Sequence, residues 1–237
     1  MKYALVICGW LCLSVPAWAQ YPLGDAWYTN PLGFEPVKLH TANGFLVPAL
    51  AVGVSLLVSR QDSALVRGPW VYHSVSASYG YKYPYTGVYQ LATGFLFPLR
   101  RWLSVGVEGI PLYAADDYNR VVGFGVRPLA RFYPIASSTF KLYFESGGGL
   151  IRFRKEFPAP NTFDSRNGLK GNGITQYGLG AEWYPSDRFG LSVSAFHLHI
   201  SNGDREGVTR NPSHDSNGVG VGVLIRLGGS PGLGAGK

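Results

Sequence analysis

Three residues of this chain have types and spacing that suit chemistry: His199, Ser201 and Asp215. They lie in His199-Ile200-Ser201-Asn202-Gly203 and, after a polar stretch, Asn211-Pro212-Ser213-His214-Asp215. A hydroxyl with an imidazole and a carboxylate is the minimum set for nucleophilic hydrolysis of an ester. Ser201 is the expected nucleophile. His199, two residues before it and so on the same face of a strand, is the expected base. Asp215 would orient the imidazole and stabilise its charged form. Asn202 or the backbone N–H of Gly203 would stabilise the oxyanion. Neither a metal nor a cofactor is expected.

The elements that must hold these residues read as strands. Leu103, Val105 and Val107 alternate with Ser104, Gly106 and Glu108, and Val219, Val221 and Val223 alternate with Gly218, Gly220 and Gly222. Apolar residues on one face and small or polar ones on the other are the pattern of a transmembrane barrel. Counting back from the C-terminus gives eight segments, at 216–227, 188–200, 173–184, 139–152, 120–133, 102–113, 86–98 and 70–81. The expected fold is all-β: an antiparallel up-and-down transmembrane β-barrel over 70–227. Tight connections near Pro98, Pro134 and Pro185 alternate with longer polar ones at 153–172 and 201–215. Short turns are periplasmic and long loops external, so the His199/Ser201 end faces outward from the cell.

Composition agrees. Aromatic residues are 14% and charged residues 15%, where about 25% charged is usual for soluble domains. The apolar run Phe45 to Val58 is too short for a spanning helix and holds Pro48 and Gly53; it reads as a possible extra strand. Residues 1–19 read as a signal peptide: basic Lys2, an apolar core, then Ala17-Trp18-Ala19. Both cysteines, Cys8 and Cys12, fall within it, which excludes disulfides and cysteine nucleophiles from the mature chain. Residues 20–69 form an N-terminal region of unassigned structure, and 228–237 a tail. The net charge of +7 fits solvated or lipid-facing basic residues. Nucleic acid is not an expected partner of a secreted chain.

Parity refines the site. Leu191, Val193 and Ala195 share a face with His197, His199 and Ser201, and Asp215 shares the face of Val219 and Val221. If that face is outward, the three candidates meet on the lipid-facing wall, where an enzyme would act on a membrane lipid. The contrary register turns Phe196, Leu198 and Ile200 outward and puts the site in the lumen.

On these residues, HISNG followed by Asn-Pro and an acid, the chain resembles the PagL-type lipid A 3-O-deacylase family of outer-membrane barrels. The resemblance implies eight strands, an outer-membrane location, lipid A of lipopolysaccharide as substrate, and cleavage of its 3-O-linked acyl chain. It implies His199 and Ser201 as the catalytic pair, with Asn202 and Asn211 in support. The best-known member of the family has Glu as the acid, whereas this chain offers Asp215 at slightly longer spacing; Asp204 and Glu206 are nearer in sequence. A second copy of the pattern, His214-Asp215-Ser216-Asn217-Gly218, resembles the outer-membrane phospholipase A motif but has inward parity. Phospholipase A-like activity and a non-catalytic structural barrel are the rival readings.

Arg152, Arg154 and Lys155 suit either contact with lipid phosphates or snorkelling at the interface. His197 reads as a headgroup or interface residue, and Asp116-Asp117 as a solvated turn. Gly147-Gly148-Gly149 reads as a bend or a place of close strand approach.

Overall fold

The computed structural model describes residues 49–55, 57, 68–81, 83–162, 164–202 and 212–228. The signal-peptide segment, residues 20–48 and 58–67, and the tail from 229 lie outside them.

The alternating segments form eight strands: β1 (Trp70–Gly80), β2 (Gly87–Arg100), β3 (Leu103–Ala115), β4 (Arg120–Ala136), β5 (Phe140–Phe157), β6 (Leu169–Trp183), β7 (Phe189–Ser201) and β8 (His214–Arg226). Each pairs antiparallel with the next. β1 also pairs with β8, from Trp70 opposite Arg226 to Gly80 opposite Ser216, and so closes the barrel. Closure leaves no strand edge, which a lipid environment requires.

The two-residue period sorts the side chains. On β2, Val88, Ala92 and Leu96 are buried while Leu91, Phe95 and Phe97 are exposed. Exposed apolar residues recur around the whole wall, from Val107 and Phe124 through Leu150 and Leu179 to Val219 and Val221. A band of this extent is stable against hydrocarbon, not against water.

The lumen is filled. Its outer half holds an apolar cluster that includes Ile110, Phe153, Phe157 and Leu198. Trp70, Leu96, Leu129 and Leu224 close the other end. Between them Arg131 donates to Glu145 at 2.8 Å and to Glu182 at 2.9 Å, while Arg127 pairs with Glu108. Buried charges persist only when paired in this way. Gly147 on β5 faces β4 so closely that a Cβ would lie 2.8 Å from Pro128 O and 2.9 Å from Leu129 Cβ. The glycine run is therefore a close approach of two strands.

Connections 101–102, 137–139 and 184–188 share one end of the barrel with the start of β1 and the end of β8. Connections 81–86, 116–119, 158–168 and 202–213 share the other. The short set with the strand termini marks the periplasmic end and places the β7–β8 connection outside.

Two sequence expectations change. β5 continues to Phe157 and β6 begins at Leu169, so the polar stretch 153–157 is strand and not loop. Its charged residues stand at the outer rim, where a strand is polar for want of lipid. Phe45 to Val58 is not an extra strand in its described part. It is helical at 49–55 and 57, here called α1. Ala51 of α1 packs with Leu103 and Ala130, two wall-facing residues of β3 and β4.

Candidate active site

Strand parity settles which way the candidate residues face. Phe196, Leu198 and Ile200 of β7 lie in the apolar lumen cluster, so His197, His199 and Ser201 point to the outer wall. On β8 the exposed Val219 and Val221 fix the outward face, which Asp215 and Asn217 share. The register that would put His199 and Ser201 in the lumen is thus excluded. β7 and β8 align His199 opposite Asp215 and His197 opposite Asn217.

His199 Nδ1 lies 2.7 Å from Asp215 Oδ1. A carboxylate only accepts hydrogen bonds, so Nδ1 carries the proton and donates it. A ring protonated on Nδ1 alone has its lone pair on Nε2, the atom a general base needs free. Asp215 is largely buried and His199 is about one-fifth exposed, at 18%. Ser201 follows on the same face and is also buried. Among the described residues no hydrogen bond joins Ser201 to His199. Such contacts are often long before substrate arrives.

His197 is not the headgroup residue its position suggested. Its side chain is only 6% exposed. The ring stacks on Tyr177 of β6, with centroids 5.0 Å apart, and Nδ1 lies 3.1 Å from Asn217 Oδ1. Its Nε2 is 3.5 Å from the same Asp215 oxygen that His199 contacts. Parity alone put His197 on this face. Its burial comes from Tyr177 and Asn217, which only the register of three strands brings alongside.

A groove of about 440 Å³ opens on the outer wall beside these residues. Phe124 and Val126 of β4, Leu150 and Arg152 of β5, and Gly171 and Gly173 of β6 line it, with Asn202 at one edge. Gly173 pairs with Ser201 across β6 and β7, so the groove lies on the lipid-facing wall one strand away from the serine. Sequence reasoning missed it because its lining comes from three separate strands. Arg152 lines the groove, and Arg154 shares its parity. Arg152, Arg154 and Lys155 are all exposed, and the β5–β6 register shifts between Arg152 and Phe157.

The second H-x-S-N-G copy faces inward. Ser216 Oγ bonds Ser78 Oγ at 2.9 Å, and the His214 ring packs on Phe157 with centroids 5.6 Å apart. Asn202 is buried at the groove edge. Gly203, Asp204, Glu206 and Asn211 lie outside the described residues. Asp116 organises the β3–β4 turn: it accepts Thr86 Oγ1 at 2.6 Å and the N–H groups of Tyr118 and Asn119 at 2.9 Å. No group of three His, Cys, Asp or Glu side chains among the described residues could hold a metal ion.

Fold and site together define an eight-stranded outer-membrane barrel with a histidine–carboxylate pair and an apolar groove on its lipid-facing wall. The model of the lipid A 3-O-deacylase (PagL) family matches residues 72–223. The chain belongs to that family. Among solved structures, Neisserial surface protein A is similar, with TM-score 0.52 and 10% identity over 68% of this chain and 99% of that one. The outer membrane enzyme PagL matches with TM-score 0.45 and 16% identity over 67% of this chain and 99% of that one. The N-terminal barrel domain of Pseudomonas aeruginosa OprF matches with TM-score 0.41, 10% identity and coverages of 68% and 99%. At these identities the likeness concerns fold alone. No curated protein sequence is significantly similar to the chain.

Proposed function

We propose that the protein is an ester hydrolase that removes the 3-O-linked acyl chain of lipid A at the outer leaflet, by a Ser201–His199–Asp215 mechanism. The observation that carries this reading is the 2.7 Å contact between His199 and Asp215 on the lipid-facing wall, beside an apolar groove. A site in the lumen would not meet a lipid; a site on the wall meets little else.

In this reading the acyl chain lies in the groove and the ester carbonyl stands at Ser201. Ser201 Oγ attacks the carbonyl carbon as its proton passes to His199 Nε2. Asp215 holds the ring and stabilises the imidazolium. Asn202, the N–H of Gly203 and Asn211 are the candidate donors to the oxyanion. Collapse of the tetrahedral intermediate breaks the ester bond, and His199 delivers the proton to the departing sugar oxygen. Water then attacks the acyl-serine, with His199 again as base, and releases a fatty acid. Arg152 at the groove and Arg154 above it would meet the phosphates of lipid A. Of the three, Arg152 lines the groove, and Lys155 stands with Arg154 at the exposed rim.

Mass spectrometry of lipid A from cells that express the wild type or Ser201→Ala tests the reading. Loss of one 3-linked hydroxyacyl chain with the wild type alone is the expected result. Unchanged lipid A from cells with folded protein would overturn it. Free fatty acid released from phospholipid would then indicate phospholipase activity, and no product at all a structural barrel.

A further inference from the structure

The outer wall of the barrel carries a helix where lipid would otherwise lie. Leu103 and Val105 of β3 have the outward parity of the exposed Val107, and Ala130 of β4 has that of Val126. Leu103 and Ala130 are nevertheless fully buried. What buries them is α1, through Ala51. The neighbouring strands β2 and β5 carry lipid-facing side chains on both flanks of the covered patch. Phe97 pairs with Val105 on one side and Phe144 with Phe132 on the other, and both phenylalanines are exposed. α1 thus sits inside the apolar band at the periplasmic end, not beyond it.

The remaining surface of α1 is apolar as well. Leu57 is 86% exposed and Leu50 is 44% exposed. Arg100 at the end of β2 donates to Ser55 O at 2.9 Å and ties the helix backbone to the barrel. This segment is additional to the barrel. The family match begins at residue 72, and 68% of this chain spans 99% of Neisserial surface protein A.

We propose that α1 is a membrane-seated brace: it packs on β3 and β4 and presents Leu50 and Leu57 to the acyl chains of the leaflet at the periplasmic end. Continuity with the lipid-facing band on both flanks selects lipid as the occupant over solvent.

The test uses single-cysteine variants Leu57→Cys and Leu50→Cys in a chain with Cys8 and Cys12 changed to Ser. Each is labelled with an environment-sensitive fluorophore and reconstituted in phosphatidylethanolamine–phosphatidylglycerol vesicles. Asp117→Cys, in the β3–β4 turn, is the control, and heat-modifiable electrophoretic mobility verifies that each barrel is folded. Lipids brominated on their acyl chains should at least halve the signal at 57 and 50 and leave 117 unchanged, while aqueous iodide should do the reverse. Iodide quenching at 57 and 50 without bromolipid quenching would overturn the proposal. So would shielding from both quenchers with energy transfer that rises with protein density, since a second copy would then cover the helix.

Discussion

His197 lies diagonal to Asp215 across β7 and β8, with Nε2 3.5 Å from the carboxylate oxygen that His199 Nδ1 contacts at 2.7 Å. One carboxylate oxygen therefore meets two imidazoles of β7, His199 opposite it and His197 diagonal to it. His197 is itself held by Tyr177 and Asn217, so it acts as a wall against which Asp215 is positioned. His197→Phe keeps the stacking and removes the polar edge. The expected effect is a fall in kcat of about tenfold, the equivalent of about 1.4 kcal/mol, with KM for lipid A and barrel folding unchanged. An unchanged kcat would reduce His197 to a space-filling role.

Asp215→Asn separates charge from shape. The amide fits the same space, but it neither stabilises an imidazolium nor enforces the Nδ1–H tautomer. A drop in kcat of roughly 10²–10⁴-fold is expected, by analogy with other triads. Ser216→Ala, in contrast, should leave hydrolysis at the wild-type rate, because Ser216 bonds Ser78 inside the barrel. Rate measurements on the two variants side by side distinguish the two H-x-S-N-G copies. Loss of activity in Ser216→Ala with a folded barrel would point to the inward copy.

Much of this arrangement was legible in the sequence because the strand period is strict. Once Leu191 and Val193 are assigned outward, His199 and Ser201 follow, and Val219 does the same for Asp215. What was illegible depends on register between strands. Tyr177 lies beside His197, and Leu150 lies near Val126, only because β4 to β7 pair as they do. α1 is hidden from the sequence for a related reason. Val52, Val54 and Val58 favour a strand locally, but Ala51 is placed by packing on Leu103 and Ala130. Beyond Arg152 the rim of β5 reads as loop because Arg154 and Lys155 are polar. Polarity there reports the end of the hydrocarbon, not the end of the strand.

The lumen network makes a stability prediction independent of catalysis. Arg131 bonds Glu145 and Glu182, and its guanidinium lies 4.6 Å from the Tyr143 ring centroid. Arg131→Met would leave Glu182, which is fully buried, without its cation. A loss of about 3–5 kcal/mol is expected, because breaking a buried pair exposes the desolvation cost of the partner. The double variant Arg131→Met/Glu182→Gln should lose less than Arg131→Met alone. Denaturant titration of the barrel in lipid vesicles measures both. A double variant that loses more than the single would show that the carboxylate is satisfied without Arg131.

Gly171 offers the sharpest test of the groove. It lines the groove wall, and a Cβ built there meets nothing within 4 Å. Gly171→Trp should therefore fold normally while its indole fills the space beside Ser201. Each acyl methylene kept out of the groove forfeits about 0.8 kcal/mol, so long-chain substrates suffer most. KM for lipid A should rise by at least about tenfold, the equivalent of about two methylenes. A short soluble ester such as p-nitrophenyl acetate should be cleaved at the wild-type rate, since His199, Ser201 and Asp215 are untouched. Equal loss on both substrates would mean that the substitution disturbs the triad. Equal retention would mean that the acyl chain lies elsewhere on the wall.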